Sequence, residues 1–447
     1  MSTTPPSKKV FIKTFGCQMN DYDSGKMHAL LEHDGYEACD DPTDADLVLV
    51  NTCSVRDKPE QKLHSFIGEV KRLRRTGTRI GIAGCMAQHD GERLFAKYRK
   101  DVDLVFGPDQ VPRIRELVDR AQVERVLDNS FMDRDDYPFV TELQPTFKGR
   151  ITAFVTIQKG CDNKCTFCIV PQTRGVEVSR PSEQILDEVR ACVDQGAKEI
   201  TLLGQNVNSY GLKSGEIPFA ELLYRVAEVP GVVRIRYTSP HPRDMGPDVV
   251  RAHGDIPQLA AHVHLPVQSG SNAVLRRMKR FYTRERYLEL AAGLREARPD
   301  LQLTTDVIAG FPGETDDDFE QTMTLLEEVG FAGSFSFKYN RRPGTAALRL
   351  PDDDEVEESV KQARLVRFQA RQRELQQAQN KALEGELVEV LVEGPSKWDE
   401  SVVCGRTSSF RMVNFVGPVS LVGQLVKVRI LRGFVNSLRG ELEPDRA

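Results

Sequence analysis

Short apolar runs alternate with longer stretches of mixed polarity from the start of the chain. Val10–Phe15, Leu47–Val50, Ile80–Ala83 and Leu104–Phe106 are mostly apolar, as strands buried on both faces of a parallel sheet are. After them come stretches at about 21–33, 58–74, 90–99 and 110–121 that repeat apolar residues at helical spacing. Strand–helix alternation of this kind predicts an open parallel α/β sheet over residues 8–125. Residues 126–146 are polar and rich in turn formers, and read as a linker.

A second alternating series fills 147–378. Its predicted strands are Ala153–Ile157, Ile200–Leu203, Val233–Tyr237, His262–Leu265, Gln302–Ile308 and Phe335–Tyr339. The intervening helices fall at about 182–195, 217–228, 247–253, 271–278, 284–297 and 316–328. Repetition on this scale suits a parallel β/α barrel, full or partial, with its strand-end loops gathered on one face. A long polar helix at about 356–383 follows. Beyond it Leu387–Val392, Ser401–Cys404, Arg411–Phe415, Leu425–Ile430 and Asn436–Glu441 are short β-type runs broken by Gly, Pro and Ser. They predict a small antiparallel barrel over 380–444, of the OB-like size class.

Composition narrows the class without naming a function. The chain has 447 residues, 40% apolar and 28% charged, with net charge −5. That is ordinary for a globular protein and gives no overall sign of a nucleic-acid partner. The N-terminus has no apolar signal segment, and no run approaches the roughly 18 apolar residues of a membrane span. The expectation is a cytoplasmic protein with no membrane partner. In a reducing compartment its nine cysteines are then metal ligands or buried thiols rather than disulfides.

Cys161, Cys165 and Cys168 form a Cys-x3-Cys-x2-Cys run with no fourth cysteine nearby, in the loop after the first predicted barrel strand. Three thiolates can hold three corners of a [4Fe–4S] cube and leave one iron open to a small molecule, whereas a cube closed by four cysteines only passes electrons. Zinc fits less well: knuckles usually pair cysteines two by two, and the next histidine, His241, is far along the chain. Cys17, Cys53 and Cys85 are scattered, yet each directly follows a predicted strand of the first sheet. Loops after neighbouring parallel strands converge at one edge, so these three thiols should meet and hold a second open site. Cys39, Cys192 and Cys404 carry no pattern and read as core thiols.

Other features carry weaker signals. Gly204-Gln205-Asn206, Gln268-Ser269 and the turn Gly310-Phe311-Pro312-Gly313-Glu314 follow barrel strands, where a cofactor would lie. The last turn lacks the ending of a phosphate loop, but could offer a backbone cradle. His262 and His264 on one strand read as pointing to opposite faces, which argues against a shared metal. From Ser401 to Gly440 there are basic residues at Arg406, Arg411, Lys427, Arg429, Arg432 and Arg439, no acids, and interleaved Phe410, Phe415 and Phe434. Arginine for phosphates and rings for unstacked bases suit single-stranded or loop RNA. The helix before it adds Lys361, Arg364, Arg367, Arg371 and Arg373, which could extend that surface.

With these motifs in place the chain resembles the radical S-adenosylmethionine (SAM) methylthiotransferases over nearly its whole length. The strings TFGCQMN (14–20), NTCSVRDK (51–58), AGCMAQ (83–88), ITLLGQNVNSYG (200–211), HLPVQSGS (264–271) and FSFKYNRRPGT (335–345) are similar to the bacterial tRNA-modifying branch, and the end resembles a TRAM domain. The resemblance implies a SAM-binding [4Fe–4S] cluster on Cys161, Cys165 and Cys168, with Phe167 as the usual aromatic before the last ligand. It implies an auxiliary [4Fe–4S] cluster on Cys17, Cys53 and Cys85, and two SAM per turnover. The implied reaction adds a methylthio group to C2 of N(6)-isopentenyl-adenosine at position 37 of tRNA. Implied partners are the tRNA anticodon stem-loop and a flavodoxin- or ferredoxin-type electron donor, for a monomeric enzyme. The same chemistry could instead serve threonylcarbamoyl-adenosine in tRNA or an aspartate of a ribosomal protein. An iron–sulfur RNA-binding protein without catalysis is the alternative from another class.

Overall fold

The computed structural model describes residues 8–54, 57–142, 150–397, 399 and 401–443. Positions 55 and 56 of the expected first sheet, 143–146 of the expected linker, 147–149 of the expected larger barrel and 398, 400 and 444 of the expected last barrel therefore lie outside the described residues. Among the described residues no helix is long and apolar enough to cross a membrane.

The first unit runs β1 (Lys8–Phe15), α1 (Gln18–His33), β2 (Tyr36–Ala38), β3 (Leu47–Thr52), α2 (Asp57–Leu73), β4 (Arg79–Ala83), α3 (Cys85–Lys97), β5 (Leu104–Phe106), α4 (Ile114–Arg120) and β6 (Val126–Asp128). All its strands are parallel, in the order β2-β1-β3-β4-β5-β6. The expected open sheet is thus present, with two differences. β2 went unread, and Val126–Asp128, read as linker, closes the sheet as its sixth strand. Both are three-residue strands, too short to display a period.

The second unit is an incomplete barrel. It comprises β7 (Thr152–Thr156), β8 (Gln158–Lys159), α5 (Val170–Arg174), β9 (Val178–Ser179), α6 (Ser182–Asp194), β10 (Glu199–Leu203), α7 (Phe219–Ala227), β11 (Arg234–Tyr237), α8 (Pro247–Asp255), β12 (His262–His264), α9 (Asn272–Arg277), α10 (Arg284–Ala297), β13 (Gln302–Ala309), α11 (Asp316–Val329), β14 (Gly333–Lys338) and α12 (Glu358–Lys381). Two three-stranded parallel sheets, β7-β10-β11 and β12-β13-β14, meet through a parallel bridge between Ile235 and Leu259. Val155, Ile200, Leu202, Ile235, Val263, Leu303 and Val307 pack outward on the helices in the largest core. Residues of opposite parity face inward. On the flank left open by β7, the inward Phe154 and Leu203 meet Met19 and Tyr22 of α1, so the first unit covers that edge.

The third unit is a closed five-stranded barrel of β15 (Leu387–Pro395), β16 (Val402–Thr407), β17 (Met412–Val416), β18 (Leu425–Gly433) and β19 (Leu438–Leu442). Four pairings are antiparallel as expected, but β17 and β19 run parallel where the barrel closes. Arg234 and Arg236, paired with Glu199 at 3.3 and 3.0 Å, donate to the carbonyls of Arg406, Thr407 and Ser408 and so dock this barrel on the larger one. Most of the basic residues of α12 are engaged in ion pairs, while Arg373 stays exposed. Arg364 reaches Glu314 and Asp316 at 2.9 and 2.7 Å, Arg367 pairs with Glu320, and Arg371 with Glu327 at 2.9 Å, which clamps α12 to α11. Lys361 is buried against Glu355.

Candidate metal centres

The first three cysteines are placed by strand ends. Cys17 ends the turn after β1 and is the N-cap of α1, Cys53 follows β3 and donates its N–H to the Phe15 carbonyl at 3.0 Å, and Cys85 opens α3 just after β4. Gly84 makes the last turn possible: its φ is +93°, and a Cβ there would sit 2.3 Å from the Asn51 side chain and 2.6 Å from the Thr52 carbonyl. A buried amide pair, Asn20 to Asn51 at 3.0 Å, locks the turns after β1 and β3 together. Cys17 and Cys53 come within hydrogen-bond reach. That bond holds the Cys17 thiol down to about 6 against the cost of burial, with Arg174 assisting. Burial pushes Cys85 the other way, opposed by Arg174, whose Nε lies 3.2 Å from the Cys85 sulfur.

A reactivity pattern follows for the metal-free chain. A thiolate is the nucleophile, so Cys17, the exposed member of the trio, is expected to be alkylated first by iodoacetamide at pH 7. Its depressed pKa means that the advantage fades as pH falls through about 6. Peptide mass mapping across pH checks this; equal labelling of Cys17 and Cys85 at pH 7 would contradict it.

The second trio lies in the loop between β8 and α5. Thr166 pins this loop, its N–H donating to the Met278 carbonyl and its hydroxyl to the Arg277 carbonyl, both at 3.0 Å. Burial pushes Cys161 up to about 11 and Cys168 up to about 12, and each of these thiols lies within electrostatic range of Cys165. Groups that no sequence pattern flagged surround Cys165. His241 Nε2 is 3.9 Å from its sulfur and Arg280 Nη1 is 3.5 Å away. His241, expected to be remote, is thus a neighbour, though burial pushes its pKa down to about 2 and leaves the ring neutral. Arg280 is buried and donates to Cys165, the Tyr282 hydroxyl and the Pro266 carbonyl, with no carboxylate partner among the described residues.

Helix α5 joins the two trios. At its start the Val170 N–H donates to the Cys168 sulfur at 3.4 Å; at its end Arg174 donates to Cys85. Five helical residues span only about 7–8 Å. A cleft beside this helix is lined by Ser54, Met86 and Ile169, the residues directly after Cys53, Cys85 and Cys168, and closed by His89, Arg342 and Pro343.

The donor set fits iron–sulfur cubes. Among the described residues no three His, Cys, Asp or Glu side chains converge tightly enough for one metal ion. A cube instead presents a separate iron to each thiolate. Its net negative charge also suits buried arginines that lean on sulfur.

Comparison with known proteins agrees with this geometry. Residues 9–107 match the uncharacterized protein family UPF0004, 155–326 the Radical SAM superfamily and 381–442 the TRAM domain. The chain is 47% identical to the tRNA-2-methylthio-N(6)-dimethylallyladenosine synthase of Geobacter sulfurreducens, over 98% of both chains. It is 46% identical to the Methylibium petroleiphilum protein of that name, over 99% of this chain and 98% of the other. The chain belongs to the tRNA-2-methylthio-N(6)-dimethylallyladenosine synthase family. The fold has a solved neighbour in the radical SAM methyltransferase TsrM from Kitasatospora setae, with TM-score 0.57, 14% identity and coverage of 76% of this chain and 77% of that one.

Several residues expected to hold SAM sit at the mouth of the radical SAM barrel. Gln205 accepts from the Gly160 N–H while its own Nε2 is buried without a partner among the described residues; Asn206 donates to Asp244 at 2.8 Å while its Oδ1 has none among them. Both polar atoms of Gln158, which packs under Gly204, and Nδ2 of Asn163 are likewise buried and unpaired. Unpaired buried amides are costly, and here they ring the Cys161 loop, as a polar ligand would require. The turn at 310–314 is different. The Gly310 N–H is spent on Glu314 at 3.1 Å, that of Gly313 on the Asp354 carbonyl at 2.7 Å, and Pro312 has none, so the expected open cradle is closed. The Ser269 hydroxyl is buried against Thr322 and Ser271, and Gln268, with a φ of +72°, pairs through its backbone with Asp306 and Ile308 of β13. Phe167 packs with Val274, Met278, Phe311 and Tyr339.

The residues expected to meet RNA divide between the core, internal contacts and the surface of the last barrel. Phe415 is 2% exposed in the barrel core and offers no face to a base. Arg411 is spent on Asn380, Ser409 and Gln379, holding α12 to the barrel. Arg406 pairs with Glu393, and Phe410 stacks on His262 at 4.9 Å between centroids. Arg429 shares its charge with Glu443 at 3.2 Å, while Arg432 stays exposed beside the Phe434 ring, 5.1 Å away. His262 and His264, expected on opposite faces, both reach the Thr304 hydroxyl, at 2.9 and 3.0 Å. Residues two apart on a strand share a face. That inward face also carries Asp306, Phe335 and Phe337, and Phe335 and Phe337 are 57% and 38% exposed.

Proposed function

We propose that this chain is a radical SAM methylthiotransferase that adds a methylthio group to C2 of N(6)-isopentenyl-adenosine at position 37 of tRNA. The observation that carries this reading is the pairing of near-full-length identity to synthases of that name with two cysteine trios joined by one five-residue helix. An adenine C2–H offers no acidic proton and no leaving group, so general acid–base chemistry has little purchase and a cofactor must supply the reactivity. When loaded, the Cys161–Cys165–Cys168 cluster would supply the electron that cleaves SAM, and the Cys17–Cys53–Cys85 cluster the sulfur.

The protein's own groups hold and shield these centres. Gln158, Asn163, Gln205 and Asn206 supply polar atoms for the SAM amino-acid and ribose groups. Arg280 offsets charge at Cys165, and Thr166 fixes the loop. The inward Phe335 and Phe337 offer ring faces to the base and apolar contact to its alkyl group, with His264 and Asp306 beside them. Arg432 and Phe434 on the last barrel suit the anticodon stem-loop. An electron from a flavodoxin- or ferredoxin-type donor, two SAM per turnover, and a cytoplasmic monomer complete the proposal.

Reconstituted enzyme with SAM, reductant and isopentenylated tRNA is expected to yield the 2-methylthio nucleoside after digestion. Product from threonylcarbamoylated tRNA alone would reject the substrate assignment.

A further inference from the structure

We infer that Arg174 is a positioning residue that sets the reduction potential of the cluster held by Cys17, Cys53 and Cys85 and fixes that cluster against the Cys168 end of the other. The inference rests on the cluster assignment above and goes beyond it, since Arg174 belongs to the barrel unit and not to the unit that carries those three cysteines.

Arg174 points two ways at once. Nε donates to the Cys85 sulfur at 3.2 Å, and Nη2 lies 2.7 Å from Asp23 Oδ2 on α1. The side chain is buried, and both contacts cross from the barrel unit to the first unit. Charge accounting at this interface leaves a surplus. The buried bases are Lys26, Lys159, Arg174 and Arg180; the acids are the buried Glu188, which serves both Lys26 and Arg180, the buried Asp109, which serves Lys159, and the half-buried Asp23. Among the described residues four cations therefore face three carboxylates, and the anionic group that remains within reach is sulfur. Cys17 also feels the Arg174 charge. A buried cation without full compensation is costly, so an anionic cluster on these thiols completes the balance.

The consequence is electrochemical. Reduction adds one negative charge to a cluster, and hydrogen bonds to its sulfurs together with nearby positive charge favour the reduced form. Arg174 supplies both, and Asp23 on its far side draws part of that charge away. Removing the two partners should therefore move the potential in opposite directions. Lysine at 174 keeps a point charge but not the fork that meets sulfur and carboxylate together. A role limited to packing has no reason to produce opposite signs.

The test uses the full-length chain with Cys161, Cys165 and Cys168 replaced by Ala, so that one cluster titrates, followed by electron paramagnetic resonance at set potentials. The parent is expected to hold about four irons. Arg174→Gln should lower the reduced-to-oxidised ratio at fixed potential by at least about tenfold, which is about 59 mV for one electron. Arg174→Lys should fall between, and Asp23→Asn should raise the ratio. If Arg174→Gln does not load, Arg174→Lys and Asp23→Asn still carry the sign test. Full iron with unchanged potentials in the variants that load would overturn the role of Arg174 alone. A parent without iron would overturn the cluster assignment and the inference with it.

Discussion

Replacing Cys161, Cys165 and Cys168 together by Ala is expected to cut iron from about eight to about four per chain and to abolish release of 5′-deoxyadenosine from SAM. Methylthiolation should fall by at least about 10³, as it does when the chemical centre of a reaction is removed. Replacing Cys17, Cys53 and Cys85 should remove the same amount of iron and the same product. It should nevertheless leave 5′-deoxyadenosine release measurable, because the polar amides, Arg280 and Thr166 that surround the Cys161 loop are untouched. Iron assay and chromatography of the SAM products separate the two cases. Loss of 5′-deoxyadenosine in both variants to the same extent would refute the division of labour between the trios. The expected asymmetry depends on geometry: the trios lie at opposite ends of α5, each with its own buried arginine.

Why the sequence revealed some of this and concealed the rest has a physical basis. The long barrel elements were legible because their periods persist. Ser182–Asp194, Arg284–Ala297 and Asp316–Val329 each run for three turns or more and lie within a residue or two of where periodicity put them. Cys17, Cys53 and Cys85 were legible as a group for a topological reason, since strands in one parallel sheet end at one edge. His241, Arg280 and Arg174 were not legible. Their partners lie 76, 115 and 89 residues away, and no local pattern encodes a contact made by strand order in one unit and a short helix in another.

The errors have a common cause too. Gly310–Gly313 reads as a free cradle until Asp354 and Glu314 are seen to take its amides. Arg364, Arg367 and Arg371 of α12 and Arg411 read as free charges until their acidic and amide partners come into place. Composition reports that a charge exists, and only tertiary structure says whether it is already spent. Phe335 and Phe337 show the converse. They look like core residues of a strand, yet β14 is the edge of an unclosed barrel, and they stay 57% and 38% exposed.

Glu188→Ala is expected to destabilise the chain by about 3–5 kcal/mol, the range for deleting one partner of a buried ion pair. Glu188 accepts from Tyr22 at 3.2 Å, pairs with Lys26 at 2.9 Å and binds Arg180, so a single carboxylate satisfies two buried cations and one hydroxyl. Arg180 is 1% exposed and its Nε and Nη2 lack partners among the described residues, so when Glu188 is removed its guanidinium keeps only the Thr156 carbonyl, at 3.4 Å, and no carboxylate there. The loss should be local to the junction of the first two units, because Tyr22 and Lys26 lie on α1 and Glu188 on α6. Limited proteolysis should accordingly release the first unit from Glu188→Ala before the barrel itself melts. Glu188→Gln, which keeps the shape and a hydrogen-bond acceptor, should fall between the variant and the parent. Denaturant unfolding followed by circular dichroism gives the magnitude. A loss below about 1 kcal/mol in Glu188→Ala would mean that water or the nearby carboxylates compensate Lys26 and Arg180, and that the junction is held by its apolar contacts at Met19, Tyr22, Phe154 and Leu203 instead.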